Sequence, residues 1–112
     1  MIKVIWLIKR ADGLSQAEFK SWWLDRHVPM VVEAQRPYLK RYIVNIGWPE
    51  DTLPGKPASE CEWDGSAEMW FENEDDFNAV YARPVISTRA DVLKHTSRQE
   101  RLVVEQHEID LS

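Results

Sequence analysis

Residues 2–9 (IKVIWLIK) are β-branched, aromatic or aliphatic with little polar interruption, the pattern of a strand buried on both faces, and Ala11-Asp12-Gly13 follows as a turn. Ser15-Gln16-Ala17-Glu18 then reads as a capping box, in which the Ser15 hydroxyl accepts from the Glu18 amide and the Glu18 carboxylate reaches back. Beyond it Phe19, Trp22, Trp23, Arg26, His27 and Met30 recur at intervals of three and four, which sets them along one helical stripe. His27 therefore falls on the apolar face one turn after Trp23. Pro29 lacks an amide donor and disfavours helical geometry at Val28, so the helix is expected to kink or loosen just after His27.

Pro37 marks the exit from this helical region, and residues 38–46 (YLKRYIVNI) alternate as a second strand. Strict alternation puts Tyr38, Lys40, Tyr42, Val44 and Ile46 on one face and Leu39, Arg41, Ile43 and Asn45 on the other. Residues 47–64 hold three prolines, two glycines and five acidic residues without periodicity, the composition of a long loop or lid. Residues 65–71 read as a third strand. Asn73 with Glu74, Asp75 and Asp76 signals a second helix carrying Phe77, Val80 and Tyr81 on one side. Pro84 opens a further short helix through about Lys94, and residues 101–109 (RLVVEQHEI) close as a fourth strand.

The resulting order, β-α-β-β-α-β, predicts a single α+β domain of ferredoxin-like type over residues 1–112, its antiparallel four-stranded sheet carrying helices on one face. Tryptophans and tyrosines on the strands make a bare second face costly, so that face is expected to pack against another copy of the chain, giving a homodimer.

Composition narrows the functions. With 44% hydrophobic residues, 11% aromatics and six tryptophans, 112 residues suffice for a core without disulfide or metal staples. A net charge of −5 and no basic run argue against nucleic acid as a partner. The apolar stretch at the start is too short for a signal peptide or a membrane span, and Cys61 is the only cysteine, which together lead to an expectation of a soluble cytoplasmic protein. Neither a metal-ligand spacing nor a Gly-rich phosphate loop is present, so no cofactor is expected.

His27 is the residue best suited to chemistry, because an imidazole titrates near neutrality and an enclosed apolar setting strengthens its grip on a charged intermediate. The alternative is a buried histidine satisfied by a backbone carbonyl. Tyr42 can donate its phenolic proton to a carbonyl or enolate oxygen, or simply pack at a dimer face. Trp6, Trp22, Trp23 and Trp70 offer an aromatic cage for a planar ligand, or a core. Arg26 and Asp25 flank His27, and Arg26 could bind a substrate carboxylate or phenolate unless the two form a surface ion pair. Met69 and Asn45 complete the candidate binding set. Glu105 and His107 share a face of the predicted last strand with Val103, while His95 looks like a charge partner for its helix C-terminus.

The segments MIKVIWLIKR, GLSQAEFKSWWLDRHVP, YLKRYIVN, DGSAEMWFENEDDF and VVEQHEI, in this order, resemble the EthD-like group of the dimeric α/β-barrel proteins over nearly the whole chain. The resemblance implies two ferredoxin-like subunits whose sheets share a barrel, with a pocket in each between the first helix and the sheet. It also implies cofactor-free chemistry on small aromatic or lactone-like molecules, as in methylmuconolactone isomerases and polyketide cyclases and dehydratases. By this resemblance the histidine of W-x-x-x-H-x-P is His27 and the pocket tyrosine is Tyr42. The cysteine used by those isomerases would fall at Met69, which transfers no proton, so His27 is expected to act with Tyr42 and without a thiol partner. Isomerase, lyase, dehydratase and cyclase chemistry all remain open. So do a cofactor-less or haem-using monooxygenase and a non-catalytic ligand-binding dimer.

Overall fold

A computed structural model describes residues 1–48, 54 and 61–112. Strand β1 (Ile2–Arg10) leads to α1 (Gln16–Trp22), a π-helical turn (Trp23–His27) and α2 (Val28–Gln35). Strands β2 (Leu39–Ile46) and β3 (Gly65–Phe71) follow, then α3 (Glu74–Tyr81), α4 (Pro84–Ser87), α5 (Arg89–His95) and β4 (Thr96–Val104). The sheet order is β2-β3-β1-β4 with every neighbouring pair antiparallel, the ferredoxin-like arrangement. No helix among the described residues is long and apolar enough to cross a membrane.

Local chemistry explains the boundaries. The capping box at Ser15 is complete: Ser15 Oγ accepts from Glu18 N at 3.0 Å, and Ser15 N donates to Glu18 Oε1 at 3.1 Å. Asn73 caps α3 by accepting from Asp76 N at 2.9 Å. The residues just before β3 are clamped through Asp64, whose carboxylate accepts from Arg10 N at 2.8 Å and whose carbonyl accepts from Gly47 N at 2.8 Å. The loop or lid expected at 47–64 otherwise lies mostly outside the described residues, and Cys61 is exposed.

The core lies between the sheet and the helices, where Val4, Phe19, Trp23, Val31, Phe71 and Val80 are fully buried. On β1 only this face is closed: Val4 and Ile8 are buried while Ile5 and Leu7 on the opposite face are half-buried, so the strand is covered on one side only within a single chain.

Three expected boundaries need correction. Strand β4 runs from Thr96 to Val104, earlier than 101–109, because its ladder with β1 starts where α5 ends; Glu105 and His107 lie beyond it, exposed and 3.3 Å from each other. The helix expected from Pro84 to about Lys94 is two helices, broken at Thr88 by a left-handed residue (φ 60°, ψ 24°). In β2 the register slips between Leu39 and Arg41, where two residues advance against one on β3. This bulge returns Leu39 to the Tyr42 side, where it packs on the core, against the strict alternation expected.

Candidate functional site

The helical region after Ser15 holds the centre of the site. Its buried positions Phe19, Trp23, His27, Val31 and Gln35 advance in steps of four. A π turn carries this line through Trp23–His27, with the Val28 amide donating to Trp23 O, five residues back. Pro29 accounts for it: the ring has no amide to donate and crowds the carbonyl four residues earlier, so the ladder widens upstream of the proline. The irregularity therefore ends at His27, where the kink was expected to begin. The steps of four also correct the stripe itself. Arg26 and Met30, one position off that line, face solvent, and Arg26 lies outside the cavity.

A cavity of about 90 Å³ opens between this helical line and the sheet. That is several times the roughly 10–15 Å³ that one ordered water needs. Trp23 and His27 line it from the helices, Trp6 from β1, Tyr42 from β2 and Met69 from β3, with α4 and α5 supplying a further wall around Thr88 and Val92. Tyr42 pairs with Met69 across the ladder, so both side chains point to the helix face. Gly65 makes room for the Trp23 indole: a Cβ there would stand 2.8 Å from Trp23 Cζ3 and 2.3 Å from Asn45 O.

His27 is 5% exposed, and its Nδ1 lies 2.7 Å from Asp91 Oδ2 on α5. A carboxylate accepts, so Nδ1 carries the proton and Nε2 is left with no partner among the described residues. Burial lowers the His27 pKa, while the Asp91 hydrogen bond and charge oppose that shift. The ring is thus neutral at neutral pH, with a basic nitrogen available. Asp91 is itself held. Trp22 Nε1 donates to its Oδ1 at 3.4 Å, and the Trp22 indole stacks with His27 and with His95, ring centroids 4.9 and 4.5 Å away. His95 Nδ1 donates to the Asp91 carbonyl at 2.8 Å, which fixes the last turn of α5.

Tyr42 is pushed up to about 12 by burial, partly opposed by the Trp23 indole beside it and reinforced by Tyr81. It therefore stays a neutral donor. Left-handed Thr88 bends the chain between α4 and α5; for a β-branched residue that conformation is strained. The bend lies three residues before Asp91, on the wall that brings this carboxylate to His27.

The structure thus gathers His27, Tyr42, Trp6, Trp23 and Met69 around one cavity and leaves Arg26, Asn45 and Trp70 elsewhere. Asn45 and Trp70 face the opposite side of the sheet, because each is one residue out of phase with a cavity-facing strand position. There Asn45 Nδ2 donates to Ser66 Oγ and Glu68 Oε2 at 3.0 and 2.9 Å, and Trp70 lies under Lys3 and Arg41 at 4.5 and 4.7 Å. Sequence reasoning missed Asp91, 64 residues from its histidine and without a motif, and Gln35, which the four-residue steps from His27 would have reached. Among the described residues no group of three or more His, Cys, Asp or Glu side chains is placed to hold a metal ion.

Comparisons with known proteins agree with this architecture. No curated protein matches the chain. Among solved structures it is similar to an ethyl tert-butyl ether D (EthD) family protein from Bacillus halodurans, at 16% identity and TM-score 0.71, over 96% of this chain and 99% of that one. A dimeric ferredoxin-like protein of unknown function from Thermobifida fusca aligns at 19% identity and TM-score 0.59, over 94% and 90% of the two chains. A hydroxynitrile lyase from Passiflora edulis aligns at 18% identity and TM-score 0.63, over 97% and 95%. At such identities the likeness is one of fold. The EthD domain, by contrast, matches the sequence itself over residues 11–99, and the chain belongs to that family.

Proposed function

We propose that this chain is a cofactor-independent enzyme that moves a proton on a small aromatic or lactone-like molecule, with His27 as general base and then acid and Tyr42 as donor to the developing oxyanion. The observation that carries this reading is the His27–Asp91 contact at 2.7 Å on the wall of the cavity. Asp91 holds the proton on Nδ1 and stabilises the imidazolium formed when Nε2 takes a proton, the arrangement that makes a histidine an effective base. Tyr42, protonated up to about 12, supplies a neutral hydrogen-bond donor where negative charge develops. Trp6, Trp23 and Met69 provide apolar contact for a planar body.

Isomerisation, dehydration, cyclisation and C–C cleavage share this proton transfer. The shared fold of the Passiflora edulis hydroxynitrile lyase lends weight to a lyase, since releasing a carbonyl from a hydroxyl-bearing carbon begins with loss of the hydroxyl proton. The working unit of this proposal is a homodimer formed through the open sheet face, as the dimeric Thermobifida fusca neighbour supports.

His27→Gln tests the reading. It should lower kcat/KM by about 100- to 10,000-fold, the range of a lost general acid/base, with an unchanged circular dichroism spectrum. A fully active His27→Gln protein sinks the proposal.

A further inference from the structure

The polar groups around the cavity fall into two sets. Some are spoken for within the protein: Trp6 Nε1 donates to the Tyr81 hydroxyl at 3.1 Å, and that hydroxyl donates to Met69 Sδ at 3.7 Å. Three others, besides His27 Nε2, are open. Trp23, with no exposed surface, has a buried Nε1 without a hydrogen-bond partner, and it lies against the Tyr42 hydroxyl without reaching hydrogen-bonding geometry. The Tyr42 hydroxyl proton meets no acceptor among the described residues, because the Trp23 indole beside it is itself a donor. Gln35, 1% exposed, donates from Nε2 to Ile86 O at 2.9 Å, yet its Oε1 is buried and unpartnered. The amide is not free to turn over, because that would set oxygen against oxygen at Ile86. Buried polar groups are almost always satisfied, so two orphaned atoms, Trp23 Nε1 and Gln35 Oε1, around one cavity that the Tyr42 hydroxyl also lines require an explanation.

We propose that Trp23 Nε1–H and Tyr42 O–H form a two-donor cradle for one oxygen of the ligand, while Gln35 Oε1 accepts from a hydroxyl or N–H group on the same molecule. The substrate class is then a small carbonyl compound bearing a hydroxyl or amino group, with an enclosed portion no larger than one ring. Two neutral donors beside each other suit an oxygen that gains negative charge, which is what proton removal by His27 generates. Gln35 acts on selectivity: a ligand without a donor leaves its Oε1 buried and unpaired, and such mismatches discriminate more strongly than a lost apolar contact. The inference rests on the cavity being the substrate site, as the proposed function has it.

The test reads binding and needs no turnover. Protein labelled with ¹⁵N at its indoles is titrated with ethylbenzene, acetophenone and the 2-, 3- and 4-hydroxyacetophenones, the Trp23 signal being assigned from Trp23→Phe. The carbonyl probes should shift the Trp23 indole N–H and ethylbenzene should not. One hydroxy isomer should bind about tenfold tighter than acetophenone, and Gln35→Leu should remove that gain while acetophenone affinity changes less than about twofold. If Gln35→Leu fails to fold, the isomer preference of the wild-type protein decides the Gln35 arm. A Trp23 signal unmoved by carbonyl probes, ethylbenzene binding as tightly as all the others, or no binding by any carbonyl probe overturns the proposal. An active His27→Gln protein would instead overturn proton transfer by His27 and leave this binding pattern standing.

Discussion

At the scale of single residues, the site depends on how one carboxylate sets the state of one imidazole. In the proposed mechanism Asp91 acts through His27, and replacing it with Asn removes the charge that would stabilise the imidazolium while keeping the side-chain shape. Activity should fall by about 100- to 10,000-fold. Because Asp91 opposes the lowering caused by burial, its loss should also move the acid limb of kcat/KM to lower pH. An unaltered limb in Asp91→Asn would show that the aspartate only packs there. The same titration bears on stability. The His27 pKa is lowered in the folded state, so the unfolded chain binds the extra proton first as pH falls. Stability is full above the ordinary value of about 6.5 and is lost as pH falls through the lower folded value. Denaturant melts across that interval check the sign. His27 itself was legible from its place in the apolar stripe; Asp91 was not, since a hydrogen bond across 64 residues leaves no local pattern.

At the scale of elements, the site is held by irregularities more than by regular structure. The π turn keeps Trp23, His27, Val31 and Gln35 in line, the bulge in β2 turns Leu39 and Tyr42 to the same side, and left-handed Thr88 separates α5 from α4. Proline chemistry announced a disturbance near His27 but not its direction, because the ladder adjusts before the proline ring. The bulge and the Thr88 break had no glycine to signal them. Gly65 illustrates a fourth device, a strand position left bare so that the Trp23 indole reaches the sheet. Gly65→Ala should cost about 1–3 kcal/mol by overpacking, read from the denaturation midpoint. It should also weaken ligand binding, since the contact at 2.3 Å is with backbone and the displaced indole lines the cavity.

At the scale of the whole molecule, one face of the sheet is packed by helices and the other is open in the single chain. By register that open face carries Ile5, Leu7, Ile43 and Leu102, with Leu102 62% exposed beside Ile5. Burial of apolar side chains on a second copy is the simplest cover for it. Leu102→Lys should shift the protein from dimer to monomer in light scattering without changing its secondary structure, and a wild-type monomer would overturn the dimer. Element order, the capping box at Ser15, the Asn73 cap and the position of His27 were all written in the sequence, because they follow from periodicities and turn chemistry spanning a few residues. Arg26, Asn45 and Trp70 lie outside the cavity; alternation already sets Asn45 opposite Tyr42 and Trp70 opposite Met69, whereas the place of Arg26 follows from the π turn that keeps the buried line in steps of four. Which side of a strand meets the helices depends on bulges and register, and which carboxylate meets His27 depends on how α5 docks, so both were settled by packing between segments far apart in the chain.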